Sequence, residues 1–376
     1  MPRTIPVLLV LLAVLILCAG CTTSLFPFGT RADYPSIDDV GTSPGTIPVH
    51  HTFPFQDREL TISLTVENDL YTDARGSTKS VVLYGAWDSD EEWLRESYRA
   101  FVGDPRQEGM YGDLRSAFRD IRTAMGLDDD EYVELMAAFV QSITYESPEG
   151  EQTPRFPVET VVEGKGDCDD TSILLAGLLE REGYDTALFF FEEENHMAAG
   201  VRGPGAGFMG TGYEYIETTS FSLPGGATTR LQNGMRLESE PLVIAIGEGT
   251  GIYTAGDEAR SIAAAAQSSR EYAALIEADL EEREEEINTR HDAIVVIQER
   301  LADAGQAGNP ALYTRLVSEH NRLAGDYNRL LADYDRLYAD FEAYARLNNH
   351  IAGHQYDRPG LVAYISEWKD ATGLPL

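Results

Sequence analysis

The sequence predicts an α+β protein in which a helix packs on an antiparallel sheet and an antiparallel helical hairpin follows. Three observations carry that expectation. Residues 171–184, TSILLAGLLEREGY, have apolar side chains at helical spacing, and three short β-rich runs come next, DTALFFFEE, HMAAGVRG and YEYIETT, separated by the turn-like EEN and GPGAGFMGTG. Upstream, Leu60, Ile62, Leu64 and Val66 alternate with polar residues, the period of a half-buried strand. Downstream, HNRLAGD, YNRLLAD, YDRLYAD and FEAYARL, residues 320–347, align as four gapless heptads.

The chain opens with MPRTIPVLLVLLAVLILCAGC, a short basic start, an apolar run from Ile5 and a small-residue cleavage site, which is the pattern of an export signal over residues 1–20. The run is shorter than the roughly 20 apolar residues that span a bilayer. CAGC at Cys18 to Cys21 resembles a lipobox, with Cys18 where that motif usually has Leu. The resemblance implies a mature protein that begins at a lipid-bearing Cys21 and is extracytoplasmic, anchored to the cell membrane; an uncleaved anchor and simple secretion are the alternatives. Residues 21–47 mix Thr, Ser, Pro and Gly without apolar periodicity and read as a flexible tether.

Of the 3 cysteines, Cys18, Cys21 and Cys168, the lipoprotein pattern removes the first and acylates the second, so Cys168 is left as a free thiol. Without a disulfide, an exported chain of 376 residues must rely on its core, and that length suffices for two or three domains. The formal net charge is −34, and Lys79, Lys165 and Lys369 are the only lysines among the cations. Nucleic acid is thereby excluded as a partner, and so is adhesion to anionic lipid through charge alone. No cofactor is expected. No metal is expected either, because His350 and His354 stand i,i+4 apart without a third ligand.

The folded body is expected over residues 48–256. HTFPFQDRELTISLTVEND begins it with paired strands. EEWLRESYRAFV, YGDLRSAFRDIRTAMG and DDDEYVELMAAFVQSI then give three helical patterns between Glu91 and Ile143. The acidic run Asp128 to Glu131 falls at a helix start, where carboxylates cap backbone N–H groups and complement the dipole. Residues 257–349 form the hairpin. Leu316, Leu323, Leu330, Leu337 and Tyr344 make one stripe, and Tyr313, His320, Tyr327, Tyr334 and Phe341 the other. Leu280, Ile287, Ile294 and Leu301 supply the facing stripe, and AGQAGNP at 304–310 breaks the arms apart. Arg283 and Arg290 interrupt the second seam of the first arm, which leaves room for a protein partner on the coiled coil. Residues 350–376 form a tail with a short helix.

Chemistry concentrates in GKGDCDD, residues 164–170. Asp167 is placed as an N-cap, Cys168 in the first helical turn and Asp170 near N3. The positive helix end favours the thiolate, the nucleophilic form, while Asp169 and Asp170 oppose it. Of the 7 histidines, His196 alone belongs to the same α/β unit, at the start of a strand. Glu217 in YIETT, on the next strand, is the natural group to hold its imidazole in one tautomer.

PRFPVETVVEGKGDCDDTSILLAGLLEREGYDTALFFF, then HMAAGV and YEYIETT, resemble the transglutaminase-like superfamily, a papain-like thiol fold, over roughly residues 110 to 220. The resemblance implies a catalytic set of Cys168, His196 and Glu217, with glutamate where that family usually has aspartate. It also implies a thiol enzyme of the protease or amidase type, acting on a peptide or protein amide or isopeptide through an acyl-enzyme, with transfer to an amine as a variant outcome. The backbone N–H of Cys168 is the one oxyanion donor the sequence points to. The alternative is a non-enzymatic envelope protein that uses the papain-like domain and the coiled coil for binding.

Overall fold

The computed structural model of the protein describes residues 30–41, 43–85, 87–146, 153–226 and 236–376; the export signal and Cys21 lie outside the described residues. Helices and antiparallel sheets share the body, and two long helices follow it.

The body starts with β1 (Arg31–Asp33), β2 (Thr46–Phe55), β3 (Arg58–Glu67), α1 (Asn68–Gly76) and β4 (Val82–Tyr84). Strands β2 and β3 pair antiparallel along their whole length and turn at Gln56 and Asp57, both at positive φ of 46° and 57°. Two central residues with φ above zero are what a tight hairpin needs to match strand twist. Val49, Phe53, Ile62, Leu64 and Val66 face the core, which is the alternation read from the sequence.

The tether expected through residue 47 ends sooner. From residue 30 the chain lies on the body: β1 pairs with β4, Ile37 is buried, and its N–H donates to Asp104 Oδ2 at 2.8 Å. Val40 N–H donates to Asp73 Oδ1 at 3.1 Å, and Arg106 donates to the other oxygen at 2.7 Å. One buried isoleucine and two carboxylates in need of donors fasten this stretch, and neither shows as periodicity.

Helices α2 (Asp90–Gly103), α3 (Glu108–Met125) and α4 (Asp129–Gln141) follow. Asp128 and Glu131 form a reciprocal capping box at the start of α4, so this acidic run is structural. Helix α4 is almost wholly buried. Next come β5 (Thr144–Tyr145), α5 (Pro157–Glu163) and β6 (Lys165–Gly166), with β5 and β6 parallel. Helix α6 (Cys168–Arg181) is buried from Asp170 to Leu179 and packs on a four-stranded antiparallel sheet. That sheet is built from β7 (Asp185–Phe191), β8 (His196–Arg202), β9 (Tyr213–Ile216) and β10 (Leu242–Glu248) in the order β10-β7-β8-β9. The three expected strands form the meander, and β10 adds an edge that local pattern did not reveal.

Helices α7 (Gly256–Gln306) and α8 (Pro310–Gly353) run antiparallel: Tyr272 stacks on Tyr344 near the base, and Gln298 meets His320 near the tip. The seam is closed at both ends. Ile297, Ala304, Leu316 and Leu323 are buried towards the tip, and Ala259, Ile262, Ala265, Tyr344, Leu347 and Ile351 at the base. Between them Ile287, Leu330, Leu337, Tyr327 and Tyr334 stay half-exposed. Arg283 and Arg290 satisfy themselves within α7, on Asp279 and Glu286. Helix α9 (Arg358–Thr372) returns to the base, where Leu361, Ile365 and Trp368 complete the cluster with Leu223 of the body. Buried Arg358 donates Nε to Glu134 Oε1 of α4 at 2.5 Å and also pairs with Glu258, while Tyr253 adds a hydroxyl to the same Glu134 oxygen at 2.8 Å. His350 stacks between His354 and Tyr364, which gives this histidine pair a packing role. No helix among the described residues is long and apolar enough to cross a membrane.

Candidate functional site

Cys168 opens α6 because Gly166 and Asp167 stop β6 and cap the helix. The Asp167 carboxylate accepts from the N–H groups of Asp169 and Asp170 at 3.1 and 3.2 Å, and Asp170 reaches back to the Asp167 N–H at 3.2 Å. A Cβ on Gly166 would come within 2.8 Å of the Asp170 Cβ, so glycine is needed for the chain to pass this close. Asp170 also accepts from Arg155 N–H at 2.7 Å, which ties the segment before α5 to the cap.

His196 is the first residue of β8, directly after the Glu192–Asn195 turn, and Asn195 makes that turn with φ of 47°. The ring is buried. Nε2 lies 3.1 Å from Glu217 Oε2 and 3.2 Å from the Tyr215 hydroxyl, which itself donates to Glu217 Oε2 at 2.7 Å. The other carboxylate oxygen accepts from Thr219 N–H at 2.9 Å and from its hydroxyl at 2.6 Å. An ionised carboxylate can only accept, so Nε2 bears a proton in this contact. Burial alone would raise the Glu217 carboxyl, but the hydrogen bonds and charge of His196, with Thr219 and Tyr215, hold it at about 2. Gln141, at the end of α4, donates to the carbonyls of Glu217 and Ser222 at 2.7 and 2.8 Å and so fixes the loop that carries the acid.

The thiol lies at the same end of the sheet. The N–H of Met197, the residue next to His196, hydrogen-bonds to the Cys168 sulfur. The thiol itself turns to Asp169 Oδ1 at 3.6 Å, whose Oδ2 accepts from the Tyr98 hydroxyl of α2 at 3.1 Å. Burial and then the charge of Asp169 push the Cys168 thiol up, and the Met197 N–H only partly offsets them. This reverses the expectation of a favoured thiolate: at this depth desolvation outweighs the helix end.

A cleft of about 900 Å³ runs beside this end of the sheet, between α2 and the β7–β10 edge. Phe190, opposite Met197 in the ladder, lines it with Leu94, Leu242, Glu192 and Glu193, whereas Cys168, His196 and Glu217 are not among its lining residues.

The structure brings His196 and Glu217 into contact and puts Cys168 at the start of α6, the places the sequence gives them. Sequence reasoning missed Tyr98, Tyr215, Thr219 and Gln141. Tyr215 had a signal, since residues two apart on a strand share a face. Tyr98 and Gln141 reach the site only through the packing of α2 and α4. No family model, curated protein or solved structure matches the chain.

Proposed function

We propose that the protein is a membrane-tethered, extracytoplasmic thiol enzyme of the transglutaminase-like, papain-like kind, which acts on peptide or isopeptide amides through a cysteine acyl-enzyme. The observation that carries this reading is the buried His196–Glu217 pair at 3.1 Å, one residue from the N–H that touches the Cys168 sulfur. In the reaction the Cys168 sulfur attacks the amide carbonyl carbon while His196 Nδ1 takes the thiol proton. The carbonyl π electrons move to oxygen, and the backbone N–H of Cys168 supports that oxyanion. On collapse the C–N bond breaks, and His196 returns the proton to the departing amine. Water, activated by the same imidazole, then cleaves the thioester and restores the thiol; an amine in place of water gives transfer. Glu217 keeps the imidazole in the required tautomer and supports its transient charge. The lipid at Cys21 would hold this activity at the membrane.

A non-enzymatic envelope binding protein is the second reading, and the raised Cys168 thiol favours it. One experiment separates the two. The full-length protein is incubated with a peptide library and an amine donor beside a Cys168→Ala control, and products are read by mass. New masses from the parent alone support the enzyme; identical spectra from parent and control would overturn it.

A further inference from the structure

Three aspartates flank Cys168 in the chain, Asp167, Asp169 and Asp170, and two have evident structural duties. Asp167 caps α6, and Asp170 closes the capping box and receives the Arg155 N–H. Asp169 is different. Its side chain accepts from no backbone N–H among the described residues; its two oxygens go to the Cys168 thiol and to the Tyr98 hydroxyl. An acid at this helix position would ordinarily face water and interact with the dipole. Here a tyrosine from another helix turns it onto the sulfur instead.

We propose that Asp169 is a positioning residue that restrains the Cys168 thiol in the resting site, with Tyr98 holding the Asp169 carboxylate against the sulfur. The sulfur keeps its proton towards Asp169, and a neighbouring negative charge opposes thiolate formation. Attack requires that proton to pass to His196 Nδ1, so a substrate carbonyl seated over the sulfur must first draw the thiol away from Asp169. An exported thiol held this way is spared idle alkylation and oxidation, since both proceed through the thiolate.

The groups that face this arrangement are Asp167 at the cap of α6, Tyr98 on α2, His196 and the Met197 N–H on β8, and Tyr215, with Glu217 bonded to it, at the end of β9. Burial, then the charge of Asp167, pushes the Asp169 carboxyl up to about 6, while Tyr98 and Cys168 pull it down. As pH falls through that value Asp169 takes up a proton, and its opposition to the thiolate ends.

The inference deepens the thiol-enzyme reading and rests on it for its purpose, yet its test needs no substrate. The rate of iodoacetamide labelling at Cys168 is followed against pH by peptide mass in the full-length protein, in Asp169→Asn and in Tyr98→Phe. Asp169→Asn should lower the midpoint of labelling by about one pH unit, so that labelling at neutral pH speeds up roughly tenfold. Tyr98→Phe should move it the same way by less, because the Asp169 carboxylate is no longer held against the sulfur. Circular dichroism on each variant separates this from unfolding, and Tyr98→Phe carries the test if Asp169→Asn does not fold. A midpoint unchanged or raised in a folded variant would overturn the restraint, whatever the outcome for amide turnover. Absent turnover with the predicted shift would overturn the enzyme reading and leave the restraint standing.

Discussion

Replacing Glu217 by Gln keeps nearly the same shape and removes one charge, so it isolates what that charge does. The folded protein holds this carboxyl at about 2 against an ordinary 4.5, and its side chain is only 6% exposed. At about 1.4 kcal/mol per pH unit, that difference corresponds to about 3 kcal/mol of native stability. The folded value is depressed, so the contribution is fully present above 4.5 and is lost as pH falls from 4.5 towards 2. Urea unfolding of parent and variant should therefore differ by up to about 3 kcal/mol near neutral pH, with the gap closing in acid. Under the proposed thiol-enzyme function, turnover should fall on the order of 10²- to 10⁴-fold, because an amide can align the imidazole in the wrong tautomer and supports an imidazolium poorly. A stability gap that does not narrow in acid would refute the argument that His196 and Thr219 hold Glu217 ionised.

Three further outcomes are expected. Arg358→Met leaves Glu134 buried beside Tyr253 without its guanidinium and should cost about 3–5 kcal/mol in denaturant unfolding, whereas Arg336→Met, in an exposed pair with Asp333 on α8, should cost far less. Leu316→Ala at the closed tip of the hairpin should lower stability by about 2–5 kcal/mol, and Leu330→Ala in the half-exposed middle by clearly less; equal losses would contradict the two-ended seam. Mass spectrometry of membrane-extracted protein should find a mature chain starting at lipid-modified Cys21, and an intact Met1 would remove the tether from the proposal.

Much of this architecture was legible because it is local. The Asp167 cap, the apolar spacing of TSILLAGLLEREGY and the three runs after it map directly onto α6 and β7 to β9, and the heptads map onto α8. His196 and Glu217 could be paired because adjacent antiparallel strands bring their ends together. Strand β10 was not legible: it joins β7 across a long excursion, and PLVIAIGE alone does not say which edge it will find. Nor was the state of the thiol, since a helix end and three acids are visible in GDCDD but the depth of burial that decides between them is a tertiary quantity. The middle of the hairpin is a related case. Leu330 and Leu337 continue the stripe in perfect register, yet two helices alone do not enclose them.

The return of α9 bears on how the protein can be shortened or recombined. A cut after residue 256 looks natural, because the mixed body ends there and long helix begins. Such a cut would uncover Leu223, take Tyr356 from the ring of Phe221, and strip Glu134 of its only guanidinium among the described residues. Phe221 and Leu223 lie a few residues beyond Glu217, on the loop that Gln141 holds from the far end of the helix bearing Glu134. The last segment of the chain thus serves as the back wall of the first. Any truncation, fusion or exchange that is meant to preserve the site has to carry Arg358 and α9 with it, even if everything between the two ends of the hairpin is replaced by a short turn.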